Sequence, residues 1–113
     1  MREVCLLIGP DDAILWADVG SVAALPDSRA RWEAIWSNRE RLVEIAHSHP
    51  HGPRAFSHED ETTMTALRDA LGRELVFSVV APKGMVRRQA GADVVVQGEP
   101  YWATLLRLAS GMG

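Results

Sequence analysis

The sequence has a single cysteine, no strongly basic block and no long apolar run, and each of these absences excludes a class of protein. Cys5 alone cannot build a disulfide framework or a C-x-x-C zinc site. A net charge of −3 argues against nucleic acid or an anionic membrane as the main partner. No apolar run approaches the roughly 18–20 residues of a membrane span, and no signal peptide precedes the first apolar run, so we expect a cytoplasmic protein.

Length and composition predict one globular domain over residues 1–113. Hydrophobic residues make up 47% of the chain and charged residues 24%, which is typical of such a domain. Strand-like runs alternate with amphipathic ones, giving predicted strands over 3–9, 13–19, 42–48 and 74–82, a hairpin around Gly91, and helices over 28–41, 58–71 and 100–110. This order predicts an α/β domain with a mixed sheet flanked by helices.

Helical spacing predicts which side chains are buried. Apolar residues share one face of each helix: Trp32, Ile35 and Trp36 in the first, Met64, Leu67 and Leu71 in the second, and Trp102, Leu105, Leu106 and Ala109 in the third. The segment Pro26, Asp27 and Ser28 is expected to start the first helix, and Gly72 to end the second. Cys5 is expected in the core, and Arg87 and Arg88 on a solvated hairpin face.

All four histidines lie within "HSHPHGPRAFSHED", residues 47–60. Alternation on a strand makes His47 and His49 project to the same side, and Pro50 ends the strand after them. Ser57 is a candidate N-cap, with Asp60 three residues on in the first turn of the next helix. Two imidazoles and a carboxylate match a catalytic zinc site, which has three protein ligands and an open position for water.

Simpler interpretations exist for each part of this pattern. A loop with several histidines can be merely polar and solvated, and Ser57 with Asp60 can be plain helix-capping residues. From average residue frequencies, however, the full combination arises by chance in fewer than about one chain in a thousand of this length. His51 and His58 fit no separate scheme, and we expect both to face solvent.

These motifs resemble the JAMM, or MPN-plus, zinc metallopeptidases of the JAB-domain family, in their small prokaryotic branch. The family pattern H-x-H-P followed by S-x-x-D is matched by "HSHP" at 47–50 and "SHED" at 57–60. The family also has an upstream strand of the form E-x-C-G-L-L-x-G. The stretch "EVCLLIG" at 3–9 is similar, although it lacks the glycine after the cysteine.

The resemblance implies roles for five residues. By it, His47, His49 and Asp60 ligate one zinc ion, Glu3 is the general acid/base that acts on the catalytic water, and Ser57 helps to stabilise the oxyanion. It also implies a three-layer JAB/MPN-like fold, related to that of the cytidine deaminases. The implied reaction is hydrolysis of an amide or isopeptide bond at the C-terminal tail of a ubiquitin-like or sulfur-carrier protein, or of a peptide conjugate. The resemblance leaves open whether the protein forms a homodimer.

Alternatives remain at the level of both residue and function. Relatives usually have a helix before the strand that carries Glu3, so either this branch lacks that helix or the native start lies upstream. Glu44 could replace Glu3 as the base, but alternation along the strand places its side chain on the opposite face of the sheet from His47. Glu59 and Glu61 are also near, but they are expected to stabilise the N-terminus of the helix through its dipole. The whole chain could instead be a non-catalytic MPN-like scaffold that binds other proteins, or a RadC-like protein associated with DNA repair.

Overall fold

The computed structural model describes residues 2–19 and 29–112 of the protein. These residues form six strands and three α-helices: β1 (Val4–Ile8), β2 (Ile14–Val19), α1 (Arg29–Ser37), β3 (Glu44–Ser48), α2 (His58–Leu71), β4 (Val76–Ala81), β5 (Gly84–Gln89), β6 (Ala92–Val95) and α3 (Tyr101–Ser110). The predicted order of elements is confirmed. The segment Pro26–Ser28, predicted to start α1, lies outside the described residues.

The six strands form one mixed sheet in the order β2-β1-β3-β4-β5-β6. Only β3 and β4 run parallel, and the other neighbours are antiparallel. A parallel pair needs a crossover connection, and here α2 supplies it. The carboxyl end of β3 and the start of α2 therefore lie next to each other, which places the histidine-rich segment at one end of the sheet.

Helices cover both faces of the sheet, which makes the three layers predicted above. On one face, α1 and α2 pack on the sheet around a buried cluster that includes Ile35, Leu67, Leu7 and Ile45. On the other face, α3 packs through Trp102 and other apolar residues on side chains of β1, β3 and β4. The alternation of side chains along each strand divides the two cores, so that β1 contributes Cys5 and Leu7 to the first and Val4, Leu6 and Ile8 to the second.

The prediction for the buried face of α1 is only partly right. Ile35 is buried, but Trp36 is 56% exposed and carries the Arg39 guanidinium 4.1 Å from its ring centroid, and Trp32 is also exposed. Residues 35 and 36 differ by about 100° around a helix, so a narrow buried strip cannot hold both. The helix also ends at Ser37 rather than at residue 41, and the side chain of Asn38 donates to the Ala34 carbonyl at 2.8 Å.

In α3 the buried face is rotated from the predicted one. Trp102, Ala103 and Leu106 are buried, whereas Leu105 and Ala109 are exposed. The buried residues span an arc centred between Trp102 and Ala103, and Leu105 falls outside it. In α2, by contrast, the predicted face is confirmed, since Met64 and Leu67 are buried and Leu71 is partly buried.

A buried acidic side chain lies on the α3 side of the sheet. Glu44 is 5% exposed and accepts hydrogen bonds from the Ser78 hydroxyl and, at 3.0 Å, from Arg87 Nε. The expectation that Glu44 faces away from His47 is confirmed. The expectation that Arg87 is merely solvated is wrong, because burial of the Glu44 carboxylate requires a charged partner.

Candidate metal centre

Three side chains that can ligate a metal converge at the carboxyl end of β3. His47 lies on the strand, and His49 follows it with its own N–H donating to the Val80 carbonyl of β4 at 2.8 Å. That bond continues the strand pairing, so the two histidines stay on the same side. Their Nε2 atoms are 3.0 Å apart, and the Asp60 Oδ1 atom is 3.2 Å from His47 Nε2. One donor atom from each of the three lies within 4.8 Å of the other two.

The start of α2 holds Asp60 in place. Ser57 is the N-cap, and its hydroxyl oxygen accepts the Asp60 N–H at 3.1 Å. Asp60 Oδ2 in turn accepts the Ser57 N–H at 2.7 Å. This reciprocal capping box confirms the predicted spacing. The Asp60 carboxylate is thereby held by the Ser57 backbone through Oδ2, and its Oδ1 is turned toward His47.

A backbone carbonyl sets the protonation of His49. Its Nδ1 lies 3.0 Å from the carbonyl oxygen of Pro53. A carbonyl oxygen only accepts hydrogen bonds, so Nδ1 carries the hydrogen, and the Nε2 lone pair of the neutral ring is left for a metal. Metal-ligating histidines generally have such an outer partner. This contact was missing from the sequence-based prediction, because no side-chain pattern marks a carbonyl acceptor.

The electrostatics of the group favour a bound cation. Burial would raise the pKa of the Asp60 carboxyl, but hydrogen bonds from His47 and His49, the charge of His47 and the Ser57 N–H hold that pKa well below its usual range. For His49, burial lowers the pKa, whereas the hydrogen bonds to Asp60 and Pro53 and the charges of Asp60 and Glu3 raise it above its usual value. Asp60 is therefore ionised at neutral pH, as a metal ligand must be, and its carboxylate lies within 3.5 Å of an Nε2 atom of each histidine.

Strand register brings Glu3 to the same place from a distant part of the sequence. The antiparallel pairing of β1 and β3 sets Cys5 opposite His47. If this register is continued by two residues in each chain segment, Glu3 lies opposite His49. The Glu3 side chain is then on the same side of the sheet as the two histidines. The half-buried side chain of Glu3 lines one cavity together with His47, His49 and Asp60. The structure thus brings together all the predicted site residues, since Ser57 lines that cavity as well.

The cavity has a volume of about 700 Å³ and mixed walls. Besides the residues named above, it is lined by aromatic and apolar side chains that include Trp32, Phe56, Phe77 and Ile45. Cys5 also lies at its wall but is 2% exposed, and burial raises the pKa of its thiol to about 12. Cys5 is therefore a protonated core side chain, as predicted, and not a nucleophile.

Phe56 lines the cavity, and Arg88 packs behind it in a contact that the sequence did not reveal. The Arg88 guanidinium lies 4.7 Å from the Phe56 ring centroid, and that ring is 6.5 Å from the ring of His47. Arg88 also pairs with Asp93 of β6, with Nη2 2.9 Å from Oδ2, and with Glu61 of α2. The prediction that Arg88 is simply solvated is wrong, because its guanidinium connects β6, α2 and the segment before α2.

His51 and His58 are exposed, as predicted. Within residues 2–19 and 29–112, the group of His47, His49 and Asp60 is the one cluster of His, Cys, Asp or Glu donors close enough to share a metal. Both exposed histidines lie at the rim of the cavity without joining that group. Substitution of His51 or His58 is therefore a matched control, because it removes a nearby imidazole but no candidate metal ligand.

The fold and the site define a three-layer α/β domain with a candidate metal centre of two histidines and an aspartate. The family model of prokaryotic homologs of the JAB domain matches residues 3–91, and the chain belongs to that family. The resemblance drawn from the sequence motifs is confirmed. No curated protein matches the chain. In the part of the chain that the structure describes, no helix is both long enough and apolar enough to cross a membrane.

Proposed function

We propose that this protein is a zinc-dependent metallopeptidase that hydrolyses an amide or isopeptide bond. The observation that carries the proposal is the convergence of His47, His49 and Asp60 in a cavity that Glu3 also lines. JAB domains include hydrolases and non-catalytic members, so family membership by itself does not decide between them. A retained three-donor set beside an independent carboxylate favours the hydrolase.

The donor set fits zinc. Two imidazole nitrogens and one carboxylate oxygen are ligands that Zn²⁺ accepts, and three protein ligands are typical of catalytic rather than structural sites. The Pro53 carbonyl fixes the tautomer of His49 so that Nε2 can ligate. When bound in such a site, zinc activates a water molecule as the nucleophile at neutral pH.

Glu3 and Ser57 supply the chemistry that the metal does not. Glu3 projects into the cavity from the opposite strand, so its carboxylate can take a proton from the attacking water and return it to the leaving amine. The Ser57 oxygen accepts the Asp60 N–H, and its hydroxyl hydrogen can still be donated to a substrate carbonyl oxygen. A donor fixed at a helix N-terminus stabilises negative charge that develops on that oxygen.

The substrate that we propose follows from the resemblance to JAMM peptidases. It is the C-terminal tail of a ubiquitin-like or sulfur-carrier protein, or a peptide conjugate. The cavity can receive an extended tail, since its walls combine the polar centre with exposed aromatic edges such as that of Trp32.

Two substitutions test the function by separating metal binding from proton transfer. Glu3→Gln should keep one zinc per chain and lower amide hydrolysis by roughly 10²–10⁴-fold, the worth of a positioned acid/base. His49→Ala should weaken zinc binding itself, whereas His58→Ala, which removes a nearby exposed imidazole, should leave zinc content unchanged. The assay uses a ubiquitin-like protein with a C-terminal amide extension, with cleavage followed by mass spectrometry and zinc by elemental analysis.

Two outcomes would contradict the proposal. A well-folded protein that takes up no zinc after zinc is supplied would favour the non-catalytic scaffold. Hydrolysis by Glu3→Gln at the wild-type rate would remove Glu3 from its role and leave the base to another carboxylate.

A further inference from the structure

Ser48 lies between the two candidate histidine ligands but points away from them. Strand alternation turns His47 and His49 into the cavity and turns Ser48 toward the α3 side, where it is 0% exposed. Its hydroxyl oxygen accepts the backbone N–H of Val4 at 2.7 Å. One buried hydroxyl thus connects the segment that holds the histidines to the first residue of β1, next to Glu3.

This hydrogen bond lies where the register between β1 and β3 ends. Paired residues run from Ile8 opposite Glu44 to Cys5 opposite His47. One step further the same register sets Val4 opposite Ser48, and there the Val4 N–H donates to a side chain. A side-chain acceptor, unlike a backbone carbonyl, can be removed by substitution, so its effect on Glu3 can be measured.

The backbone of Glu3 is held on both sides. The Val4 N–H belongs to the planar Glu3–Val4 peptide group, so the bond to Ser48 fixes the plane on one side of the Glu3 Cα atom. On the other side, one peptide group further along the chain, the Arg2 N–H donates to the Ser110 carbonyl at 2.9 Å. The two hydrogen bonds together restrain the short backbone segment from which the Glu3 side chain projects.

We propose that Ser48 is a positioning residue for Glu3, whose buried hydroxyl holds the start of β1 so that the Glu3 carboxylate is aimed at the group of His47, His49 and Asp60. This inference rests on the proposed function, because it takes Glu3 to be the acid/base. Ser48 itself contacts neither the cavity nor the ligand atoms and acts through the Val4 N–H.

A double-mutant cycle tests this role in the zinc-loaded protein. Ser48→Ala should lower kcat by roughly 10–100-fold with little change in KM, since small misplacements of a catalytic group have effects of that size. Zinc content should stay at one per chain. In the Glu3→Gln background, Ser48→Ala should cause no further loss, because its effect passes through the Glu3 carboxylate.

Two further variants separate positioning from packing. Ser78→Ala removes another buried hydroxyl on the α3 side of the sheet, one that donates to the Glu44 carboxylate, and should leave kcat unchanged. Ser48→Thr keeps the hydroxyl at a strand position where a β-branched residue is favoured, and should retain most of the activity. Amide hydrogen exchange gives a readout without turnover, since exchange of the Val4 N–H should accelerate at least tenfold in Ser48→Ala and stay slow in Ser78→Ala.

Several results would overturn the inference. Equal losses from Ser48→Ala in the wild-type and Glu3→Gln backgrounds would show that Ser48 does not act through Glu3. Unchanged exchange of the Val4 N–H would show that the hydroxyl does not hold β1. If instead Glu3→Gln alone hydrolyses at the wild-type rate, the proposed function fails first, and the role of Ser48 falls with it.

Discussion

The Asp60 carboxylate has two structural roles. One oxygen accepts the Ser57 N–H and closes the capping box of α2, and the other faces His47 at 3.2 Å. The helix is therefore coupled to the candidate metal centre by a single side chain. A substitution that keeps the cap and removes the charge would separate the two roles.

Asp60→Asn is that substitution. Its amide oxygen can still accept the Ser57 N–H, so we expect an unchanged far-ultraviolet circular dichroism spectrum. Zinc affinity should fall by at least roughly 10–100-fold, since even an outer partner of a ligand is worth that much. Asp69→Asn, at an exposed carboxylate of the same helix, should change neither quantity. Competition with a chromogenic chelator measures the affinity, and an unchanged value for Asp60→Asn would remove Asp60 from the ligand set.

The candidate ligands could be predicted from the sequence because they depend on local rules. Strand parity fixes His47 relative to His49, and a three-residue helical spacing fixes Asp60 relative to Ser57. The contacts of His49 with the Pro53 carbonyl and of Ser48 with the Val4 N–H could not be predicted. Their partners are backbone atoms, and in the second case a partner 44 positions away that only the strand register brings near.

At the scale of elements, the end of α2 shows how backbone conformation alone sets a boundary. Gly72 has φ 70°, in the left-handed region, and its N–H donates to the Arg68 carbonyl at 2.9 Å. A Cβ added to Gly72 would meet nothing within 4 Å. The role of glycine as the predicted helix stop is therefore conformational, not steric.

Gly72→Ala should lower the free energy of unfolding by about 1 kcal/mol, the cost of placing alanine in the left-handed region. Gly98→Ala is the control, because a Cβ there also meets nothing within 4 Å and its φ is not positive. We expect that control to be neutral or slightly stabilising, since it restricts the unfolded chain. Urea denaturation measures both, and equal effects at the two positions would contradict this explanation.

Arg88 joins three elements, and its removal should loosen them. Its bonds to Asp93 and Glu61 are part-exposed and screened, and its contact with Phe56 is a cation–π pair, so Arg88→Ala should cost about 1 kcal/mol in total. Amides between His49 and Ser57 should also exchange faster, because Phe56 loses its anchor. Arg68→Ala, which removes an exposed arginine of α2 with pairs at 4.0 Å, should cost less than about 0.5 kcal/mol. If the amide exchange rates near Phe56 are the same in Arg88→Ala as in the wild type, Arg88 does not anchor Phe56.

The elements themselves could be predicted, but the rotation of two helices about their axes could not. Spacing identified apolar residues in α1 and α3, yet Trp36 and Leu105 are exposed. Which part of an apolar arc faces the sheet depends on the strands beneath, and a sequence pattern does not contain that geometry. In α2 the apolar residues Met64 and Leu67 form a single narrow strip, so the pattern left only one face to bury.

At the scale of the whole molecule, the core packs without using the candidate metal ligands, although some of its residues line the same cavity. The clusters around Leu7 and Trp102 are apolar and buried, and neither includes His47, His49 or Asp60. We therefore expect a chelator to lower the melting temperature while leaving one cooperative transition, because a bound metal stabilises the native state by mass action. Thermal melts with and without chelator measure this. Complete loss of structure on metal removal would instead indicate a structural zinc module.

The hydrogen bond from Arg2 to Ser110 has a consequence for how this fold can be rearranged. It places the two ends of the described chain side by side, so a short linker could join them, and new ends could open at the exposed Ala90–Gly91 turn. That turn is level with the amino end of β3 by strand register, at the opposite end of the sheet from His49. Such a circular permutant should melt cooperatively and bind zinc as the parent does, because the cut separates neither Glu3 nor the histidines from their strands. It would also move Glu3 from the start of the chain to its interior, behind β6 and α3 in sequence but with the same partners in space.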